Sequence, residues 1–493
     1  MLPFSITLPR AMERLRSGLE ALHHMPYKPF KWRKKHTYLP TLKWLSLSFL
    51  FALGFMLPLY AQWLEQALSQ ILNAHISESI LQGEALSRES GSSLWLGTLS
   101  GIISLVSVLF VPKARRFSTG FFIGVLWFYW IGFGLRYFDV GFLIPFVIVA
   151  VGLLMGAVFY VGLFCECLIV RLLFLLALSC FTPLGFEWVV PESFLAYSFF
   201  GVDKLSYAFL ILGVWVLFGM KGWARLLGVV FMCFALDSAQ IEKLGVKNPA
   251  LAPAQMAGQE LSESSLAGLP THLPKIKLLQ SAVPQDISWR LTQMEQIFDA
   301  YFREIRTARD EGYEAIVLPE SAFYVPLDSE YFTRLDELLG LSHEIIIITG
   351  ALRAWQDESG VMRYANSTYK IENGAFEHFD KVDLVPFGER LPSFLEGIAS
   401  KFFPGVGGFS AGEKYGYFEI KGVRFKNAIC YEGNVRAFYE DAPQYVLMTS
   451  NNAWFVPSLE PLIQRSLLKY YARLHGSLIY HATNLSPHAI ITP

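Results

Sequence analysis

Residues 141–164 read Gly141-Phe-Leu-Ile-Pro-Phe-Val-Ile-Val-Ala-Val-Gly-Leu-Leu-Met-Gly-Ala-Val-Phe-Tyr-Val-Gly-Leu-Phe164, and none of these side chains is charged. A helix of about 20 apolar residues crosses the roughly 30 Å hydrocarbon core of a bilayer. Helices suit this environment because lipid offers no partner for a backbone amide, which must bond within its own segment. The stretch is therefore predicted to span a membrane.

Six more apolar runs lie in the same half of the chain. They are residues 44–64, 94–111, 120–135, 168–181, 205–220 and 224–236. A single short run is also compatible with a helix buried in a soluble core, and several of these are short for a span. Seven runs in succession favour a multi-span α-helical membrane bundle of about seven helices over residues 44–236.

The composition supports this interpretation. Of the 493 residues, 53% are hydrophobic and only 17% are charged, against about 25% charged in ordinary soluble domains. This excludes a disordered or fibrous protein and disfavours a wholly soluble enzyme. The net charge of −1 gives no sign of a nucleic-acid partner. The five cysteines are too few and too scattered for a disulfide framework.

The distribution of lysine and arginine predicts the orientation, because these residues are enriched in cytoplasmic loops. Residues 1–43 hold nine of them, several in a cluster at residues 31–35. This basic segment could bind nucleic acid, but a role in topology and contact with anionic lipid is favoured. Seven spans from a cytoplasmic N-terminus place the rest of the chain on the far side, which in a bacterium is the periplasm of the inner membrane.

The second half has the sequence pattern of an α/β domain. Residues 237–274 are small and polar and are interpreted as a linker to a domain over residues 275–493. Strand-like apolar runs are residues 276–283, 315–318, 345–349, 423–429, 445–449, 477–482 and 488–492. Apolar residues recur at helical spacing between 291 and 305, and a second helix is predicted over about 461–475. The alternation predicts a layered sheet with helices on its faces.

Three reactive side chains follow strand-like segments in this domain. Glu320 comes shortly after the run at 315–318, Lys381 follows Phe379-Asp, and Cys430 directly follows the run at 423–429. Strand ends are where α/β folds place their sites. A carboxylate, an ammonium and a thiol brought together there would form a nucleophilic centre. On spacing alone, however, a solvated glutamate, a surface lysine and a buried apolar cysteine are each the more ordinary interpretation.

Five stretches around these residues carry a family resemblance. They are Leu279-Gln-Ser-Ala-Val-Pro-Gln-Asp-Ile-Ser-Trp289, Leu318-Pro-Glu-Ser-Ala322, Asp380-Lys-Val-Asp-Leu-Val-Pro-Phe-Gly-Glu-Arg-Leu-Pro392, Ile429-Cys-Tyr-Glu432 and Ser450-Asn-Asn-Ala-Trp-Phe455. In this order they resemble the nitrilase, or carbon–nitrogen hydrolase, superfamily, which implies an α-β-β-α sandwich with a Glu-Lys-Cys triad. Together with the preceding membrane bundle they are similar to one branch, the apolipoprotein N-acyltransferases.

The resemblance implies a two-step acyl transfer in the outer leaflet of the inner membrane. Glu320 would be the general base, Cys430 the nucleophile on a phospholipid acyl ester, and Lys381 the group that stabilises the oxyanion. The acyl acceptor would be the α-amine of a lipoprotein's diacylglyceryl-cysteine. Glu389, Glu432 and Tyr431 would support the triad, the two glutamates by orienting the lysine and assisting proton movement. No metal or other cofactor is implied.

A glycine-rich loop near residues 404–412 is expected to lie near the membrane, with Phe402, Phe403 and Phe409 dipping into lipid. The sequence also departs from the family pattern. Leu318 stands where tryptophan is usual, and Asn452 where aspartate is usual. Members also typically continue beyond a position like Pro493 into another strand and a final membrane helix, so either a short variant or a truncated sequence is expected.

Two other functions fit parts of the pattern. A membrane-tethered amidase of the same fold would use the same three residues with water as the acceptor. A non-catalytic lipoprotein-binding protein on a degraded enzyme scaffold would fit the missing C-terminal elements. Retention of Glu320, Lys381 and Cys430 argues against the second alternative, and the membrane bundle favours a lipid substrate over the first.

Overall fold

The computed structural model describes residues 40–76, 91–245, 272–288, 290–386, 388–390 and 408–493. The basic segment up to residue 39 and most of the predicted linker, residues 246–271, lie outside these ranges. The start of that linker forms a short helix, Ser238–Gly245.

The first half is a bundle of apolar helices at the positions of the seven predicted runs. Its α-helices are α1 Pro40–Ile76, α2 Gly91–Leu109, α3 Arg116–Phe128, α4 Ile144–Gly162, α5 Leu168–Leu178, α6 Lys204–Gly219 and α7 Arg225–Phe234, and α8 is the short helix Ser238–Gly245. Beyond α3 the chain continues as a 3₁₀ helix, Tyr129–Phe138. Among the described residues, four helical segments are long and apolar enough to cross a membrane, and three apolar helices are shorter.

The second half contains two six-stranded sheets within the described residues. The strands are β1 Ile276–Leu278, β2 Gln280–Ser281, β3 Ala315–Val317, β4 Phe323–Pro326, β5 Ile346–Gln356, β6 Met362–Glu372, β7 Ala375–Asp380, β8 Tyr417–Ile420, β9 Val423–Ile429, β10 Tyr445–Asn451, β11 Leu478–Asn484 and β12 Ala489–Ile491. The first sheet has the order β1-β3-β5-β6-β7 with β4 paired to β5, and the second the order β12-β11-β10-β9-β8 with β2 paired to β11. The helices are α9 Gln285–Ser288, α10 Leu291–Asp310, α11 Leu335–Leu341 and α12 Glu460–His475.

The two sheets pack face to face between helices, so the domain is the predicted α-β-β-α sandwich. Side chains alternate across each strand. Ala315 and Val317 therefore face the second sheet, where Phe425 and Leu447 share their apolar cluster. Ile316, between them, faces α10 on the outside of the first sheet. On the other outer face, the strands of the second sheet pack against α12.

Four strands escaped the sequence prediction, namely β4, β6, β7 and β8. β4, Phe323–Pro326, is only four residues long. β6, β7 and β8 interrupt their apolar residues with polar or charged ones. Their hairpins nevertheless have a local signature, because both residues of the β6–β7 turn, Asn373 and Gly374, have positive φ angles, as do Lys421 and Gly422 between β8 and β9. Two-residue turns of this kind match the twist of the paired strands.

One apolar core runs through both halves of the protein. It joins Phe55 and Trp127 of the bundle to Tyr431 and Leu467 of the sandwich. The sandwich is also tied to the bundle by a buried cation, Arg473 of α12. Its guanidinium donates hydrogen bonds to backbone carbonyls within residues 195–200 and to the Asp237 carboxylate at 2.7 Å.

Arg473→Met is expected to destabilise this junction strongly. The Arg473 side chain is only 2% exposed, and its loss leaves a carboxylate and several carbonyls without their donor. Removing one partner of a buried ion pair costs about 3–5 kcal/mol. Thermal unfolding in detergent measures the loss, with Arg303→Met on the exposed side of α10 as the control. Equal unfolding temperatures for the two variants would contradict the assignment.

Candidate active site

Glu320 lies three residues beyond the end of β3 and is 6% exposed. Its carboxylate accepts a hydrogen bond from the Asn366 amide on β6 at 2.7 Å and one from the backbone N–H of Asn451 at 2.7 Å. The backbone of Glu320 also packs against Gly350 of β5, where a Cβ atom would lie only 2.7 Å from the Glu320 Cα. The two sheets therefore fix this side chain from both sides.

Lys381 follows β7 directly and is 1% exposed. Its ammonium lies 2.7 Å from a Glu389 carboxylate oxygen and 3.5 Å from one of Glu320. Burial alone lowers the pKa of Lys381, but the charges of Glu389, Glu320 and Cys430 outweigh it and raise the pKa above its usual value. Lys381 is consequently a permanent cation.

Glu389 is held in place for this contact. One carboxylate oxygen accepts a hydrogen bond from the Val385 backbone N–H at 2.9 Å, and the other accepts one from the Asn366 amide at 3.1 Å. Asn366 therefore bridges Glu320 and Glu389, the two carboxylates that share the lysine. Sequence reasoning missed Asn366, because a lone asparagine within a polar strand carries no distinguishing pattern.

Cys430 begins a short 3₁₀ helix, Cys430–Asn434, at the end of β9. Its φ angle is +52°, a left-handed conformation that side-chain-bearing residues seldom adopt and that is often found at functional sites. The Gln464 side-chain amide of α12 lies 3.9 Å from its sulfur. Burial, together with the charge of Glu320, raises the pKa of the Cys430 thiol well above its usual value, although Lys381 acts in the opposite direction. The thiol is therefore protonated at rest.

Glu432 connects the segments that carry Cys430 and Lys381. Its carboxylate accepts hydrogen bonds from the backbone N–H groups of Ile429 at 2.7 Å and of Val382 at 2.5 Å. Burial raises the pKa of Glu432 to about 8, against these hydrogen bonds, which lower it. Its contacts are thus with the backbone beside the lysine, whereas Glu389 contacts the lysine itself.

Tyr431, next to the nucleophile, docks the site onto the membrane bundle. Its hydroxyl donates to the Gly185 carbonyl at 3.0 Å and accepts from the Glu187 N–H at 2.9 Å. Its ring lies nearly parallel to those of Phe186 and Trp188, with centroids 6.2 and 6.1 Å away. The bundle segment at residues 185–188 therefore holds the position of the residue that follows Cys430.

The predicted lipid loop is only partly described. Phe402 and Phe403 lie outside the described residues, within 391–407. Phe409 forms a single bridge with Tyr364 near the start of β6, and the Ser410 N–H donates to the Tyr364 carbonyl at 2.7 Å. The contact of this loop with lipid stays a prediction.

Two further residues near the thiol were missed by the sequence analysis. Gln464 accepts a hydrogen bond from the Asn452 amide at 3.2 Å, so the residue that departs from the family pattern positions a neighbour of Cys430. Glu460, one helical turn before Gln464, is 1% exposed. The predicted helix start near residue 461 gave no signal that either side chain would reach the site.

The second half is an α-β-β-α sandwich that brings a glutamate, a lysine and a cysteine together at its strand ends, and it packs on an apolar helical bundle. This combination defines a carbon–nitrogen hydrolase fold joined to an integral membrane domain. Comparison with known proteins narrows the class. Residues 41–238 match the family model of the apolipoprotein N-acyltransferase integral membrane domain.

The apolipoprotein N-acyltransferase of Helicobacter hepaticus is 53% identical over 438 residues, which is 89% of this chain and 99% of the relative. That of Wolinella succinogenes is 36% identical and covers 81% of this chain and 90% of its own length. XC1258 from Xanthomonas campestris, a CN-hydrolase superfamily protein, is similar over 44% of this chain and 79% of its own, with 14% identity and a TM-score of 0.31. The chain belongs to the apolipoprotein N-acyltransferase family. The predicted family, fold class and enzyme class are confirmed.

Gly350→Ala tests how Glu320 is held. The new Cβ would lie 2.3 Å from the Ser321 nitrogen and 2.7 Å from the Glu320 Cα, so the Glu320 backbone must shift. We expect a loss of about 1–3 kcal/mol in stability and a fall in acyl-transfer rate of about a hundredfold, since small displacements of a positioned group cost that much.

Gly340→Ala is the matched control, because nothing lies within 4 Å of its added Cβ within helix α11. This variant should keep full activity and gain slightly in stability, since alanine favours a helix over glycine. Unaltered activity in Gly350→Ala would show that the position of Glu320 does not depend on this contact.

Proposed function

We propose that this enzyme moves an acyl chain from a phospholipid to the α-amine of the diacylglyceryl-cysteine at the N-terminus of lipoproteins. The chain passes through a thioester on Cys430. Membership of the apolipoprotein N-acyltransferase family supports the class of reaction. The single observation that carries the mechanism is the buried Lys381 ammonium, 2.7 Å from Glu389 and 3.5 Å from Glu320, at the strand ends where Cys430 also lies.

In the first step, Glu320 takes the thiol proton as the sulfur attacks the ester carbonyl of the phospholipid. Burial raises the pKa of Glu320 above its usual value, although Lys381 opposes this. The raised pKa makes Glu320 a better proton acceptor than an exposed glutamate. Lys381 stabilises the negative oxygen of the tetrahedral intermediate, because a fixed charge in a water-poor site needs no reorganisation. Glu320 returns the proton to the leaving oxygen of the lysophospholipid.

In the second step, the acceptor amine attacks the thioester carbonyl and the sulfur leaves as the thiol. The same lysine would hold the oxygen, so both half-reactions use one oxyanion site. Gln464, whose amide lies 3.9 Å from the sulfur, would donate a hydrogen bond to the sulfur as the C–S bond breaks and negative charge develops there, before the proton arrives. Glu389 and Asn366 would keep the lysine and Glu320 aligned through both steps.

The junction with the bundle suits substrates that are anchored in lipid. The rings of Phe186 and Trp188 in the bundle lie against Tyr431, the residue that follows Cys430, and Trp130 packs against Trp188. Exposing an acyl chain to water costs about 0.8 kcal/mol per methylene, so a site reached from the membrane avoids a large barrier. The basic segment at residues 1–43 supports a cytoplasmic N-terminus, with the sandwich on the periplasmic face of the bacterial inner membrane.

The test is mass spectrometry of a diacylglyceryl-cysteine peptide incubated with phospholipid vesicles and the purified enzyme. The wild type should add one acyl mass to the peptide amine and carry a thioester on Cys430. Cys430→Ala should show neither, and Cys233→Ala, an exposed cysteine of the bundle, should behave as wild type.

Three results would contradict the proposal, and the first two each indicate a different function. A thioester that is only hydrolysed would indicate the amidase alternative, with water as the acceptor. A bare Cys430 thiol and no acylated peptide would indicate the non-catalytic alternative. Normal acylation by Cys430→Ala would remove the covalent mechanism.

A further inference from the structure

Glu460, the first residue of α12, is a buried carboxyl with no assigned task. Among the described residues the buried carboxylates are Glu192, Glu320, Glu432 and Glu460. The first two each contact a lysine, Lys204 and Lys381 respectively, and Glu432 accepts backbone hydrogen bonds. By contrast, no described group hydrogen-bonds to either carboxylate oxygen of Glu460, and no described lysine or arginine forms an ion pair with it.

A buried acid without a partner is costly, because the carboxyl loses its hydration and gains nothing in return. An apolar side chain at this buried position would not carry this energetic cost. A glutamate here is explained if its carboxylate binds a cation during the reaction cycle.

Glu460 belongs to the helical face that reaches the nucleophile. Gln464 follows it by four residues, and residues at this spacing lie on the same face of a helix. Gln464 contacts the Cys430 sulfur. The charge of Glu460 itself acts on the Cys430 thiol, and the charge of Glu320 acts on Glu460. The unpartnered carboxyl is therefore an element of the thiol's surroundings.

The same end of the helix adjoins the membrane bundle. The N–H of Leu459, the preceding residue, donates to the hydroxyl of Tyr129 at 3.1 Å. The Arg136 guanidinium donates to the carbonyl of Val456 at 2.7 Å. A lipid-anchored molecule that approaches Cys430 from the bundle side would therefore pass the start of α12.

From this placement we infer that Glu460 binds the α-ammonium group of the acceptor and takes its first proton. The inference rests on the proposed function, because it concerns the second half-reaction. At neutral pH an N-terminal amine is largely an ammonium ion, with a pKa of about 7.7–8.0. An ammonium ion has no lone pair and cannot attack a thioester. Some group must therefore remove a proton before the attack.

The protons balance as follows. The ammonium gives one proton to the Glu460 carboxylate, and the freed lone pair forms the C–N bond to the thioester carbonyl carbon. The C–S bond breaks, and its electron pair goes to the Cys430 sulfur. Glu320 takes the second proton from nitrogen and delivers it to the sulfur. The products are the amide, the thiol and one proton on Glu460, which then passes to solvent.

The electrostatics of the site agree with Glu460 taking the first proton and Glu320 the second. Burial and the charge of Glu320 raise the pKa of Glu460 to about 8, close to that of the amine, so the proton can pass in either direction at little cost. Glu320 and Cys430 interact with Glu460 electrostatically, and Lys381 and Glu389 act on Cys430 in turn. From the bundle, the Tyr129 hydroxyl lies against the backbone of the preceding residue, Leu459. Glu320 and Lys381 are engaged with each other, which leaves Glu460 for the ammonium.

A phospholipid headgroup can also carry a primary ammonium, as in phosphatidylethanolamine. Glu460 is a poor fit for that group, because the headgroup amine is separated from the reacting ester by phosphate and glycerol. The acceptor amine, in contrast, must come within about 3–3.5 Å of the carbonyl carbon attached to Cys430. Donor lipids with and without an amine distinguish the two sources.

The experiment separates the two half-reactions in Glu460→Gln, with Glu440→Gln at an exposed position as the matched control. The thioacyl enzyme is formed from phosphatidylglycerol, which has no amine, and then mixed with a diacylglyceryl-cysteine peptide. Glu460→Gln should form the thioester at the wild-type rate. It should transfer the chain to the peptide about a hundredfold more slowly at pH 7, and the deficit should shrink as the pH rises above the pKa of the amine.

Hydroxylamine provides a second acceptor, because it is uncharged at neutral pH and needs no proton acceptor to become a nucleophile. Release of the acyl chain by hydroxylamine should be equally fast in wild type and Glu460→Gln. The thermal stability of the variant should be close to that of the wild type, since a buried amide replaces a buried carboxyl of the same size.

Several results would overturn the inference. These are normal peptide transfer by Glu460→Gln at pH 7, a deficit that does not depend on pH, or an equal deficit with hydroxylamine. Slower thioester formation with phosphatidylethanolamine but not with phosphatidylglycerol would assign Glu460 to the donor headgroup. If the wild type itself acylates no amine, the proposed function fails, and the inference fails with it.

Discussion

The active site depends on one buried cation. Removing the Lys381 ammonium from water is costly, and its position is fixed by the carboxylates of Glu389 and Glu320 at 2.7 and 3.5 Å. Those carboxylates are in turn held by Asn366 and by backbone N–H groups of Val385 and Asn451. The two carboxylates together carry more negative charge than the one lysine neutralises, so no positive charge remains to stabilise a Cys430 thiolate. The Cys430 thiol therefore stays protonated at rest, and in the proposed mechanism it is activated only as Glu320 accepts its proton.

A second constraint is the apolar core that the bundle and the sandwich share. Helix α12 supplies both the contact of Gln464 with the thiol and the Arg473 clamp on the bundle, and Tyr431 adds a direct link beside Cys430. The geometry of the nucleophile is thus coupled to the membrane domain on two sides. For an enzyme of this family, whose proposed substrates are both lipid-anchored, such coupling keeps the reactive thiol at the surface from which the substrates arrive.

Much of this architecture was predictable from the sequence, because apolar runs determine it. The β9 strand was predicted with its observed bounds, because Val423, Phe425, Ala428 and Ile429 give the segment a strand-like apolar pattern, and every residue of it except Arg424 is buried. Its neighbour β10 was found for the same reason, whereas its other neighbour, β8, was missed. The polar strands β6 and β7 were missed because their register depends on a turn and on pairing partners distant in sequence. Asn366 on β6 was lost with them.

The residues of the candidate triad were identified from the motifs that surround them, and the structure brings them together. Glu460 and Gln464 could not be found in this way. A glutamate at the start of a helix ordinarily interacts with the free N–H groups there, and only the packing of α12 against the nucleophile turn gives these side chains another environment. The roles of these two side chains depend on tertiary contacts, which the sequence around them does not reveal.

The central claim is that the Lys381 charge is what makes the thioester chemistry possible, and Lys381→Met tests it most directly. The measurement is the rate of thioester formation on Cys430 from phospholipid vesicles, followed by intact-protein mass spectrometry. We predict a loss of about 10²–10³-fold, the usual effect of removing an oxyanion donor, in a protein that still contains Cys430 and Glu320. Thioester formation at the wild-type rate would contradict the account.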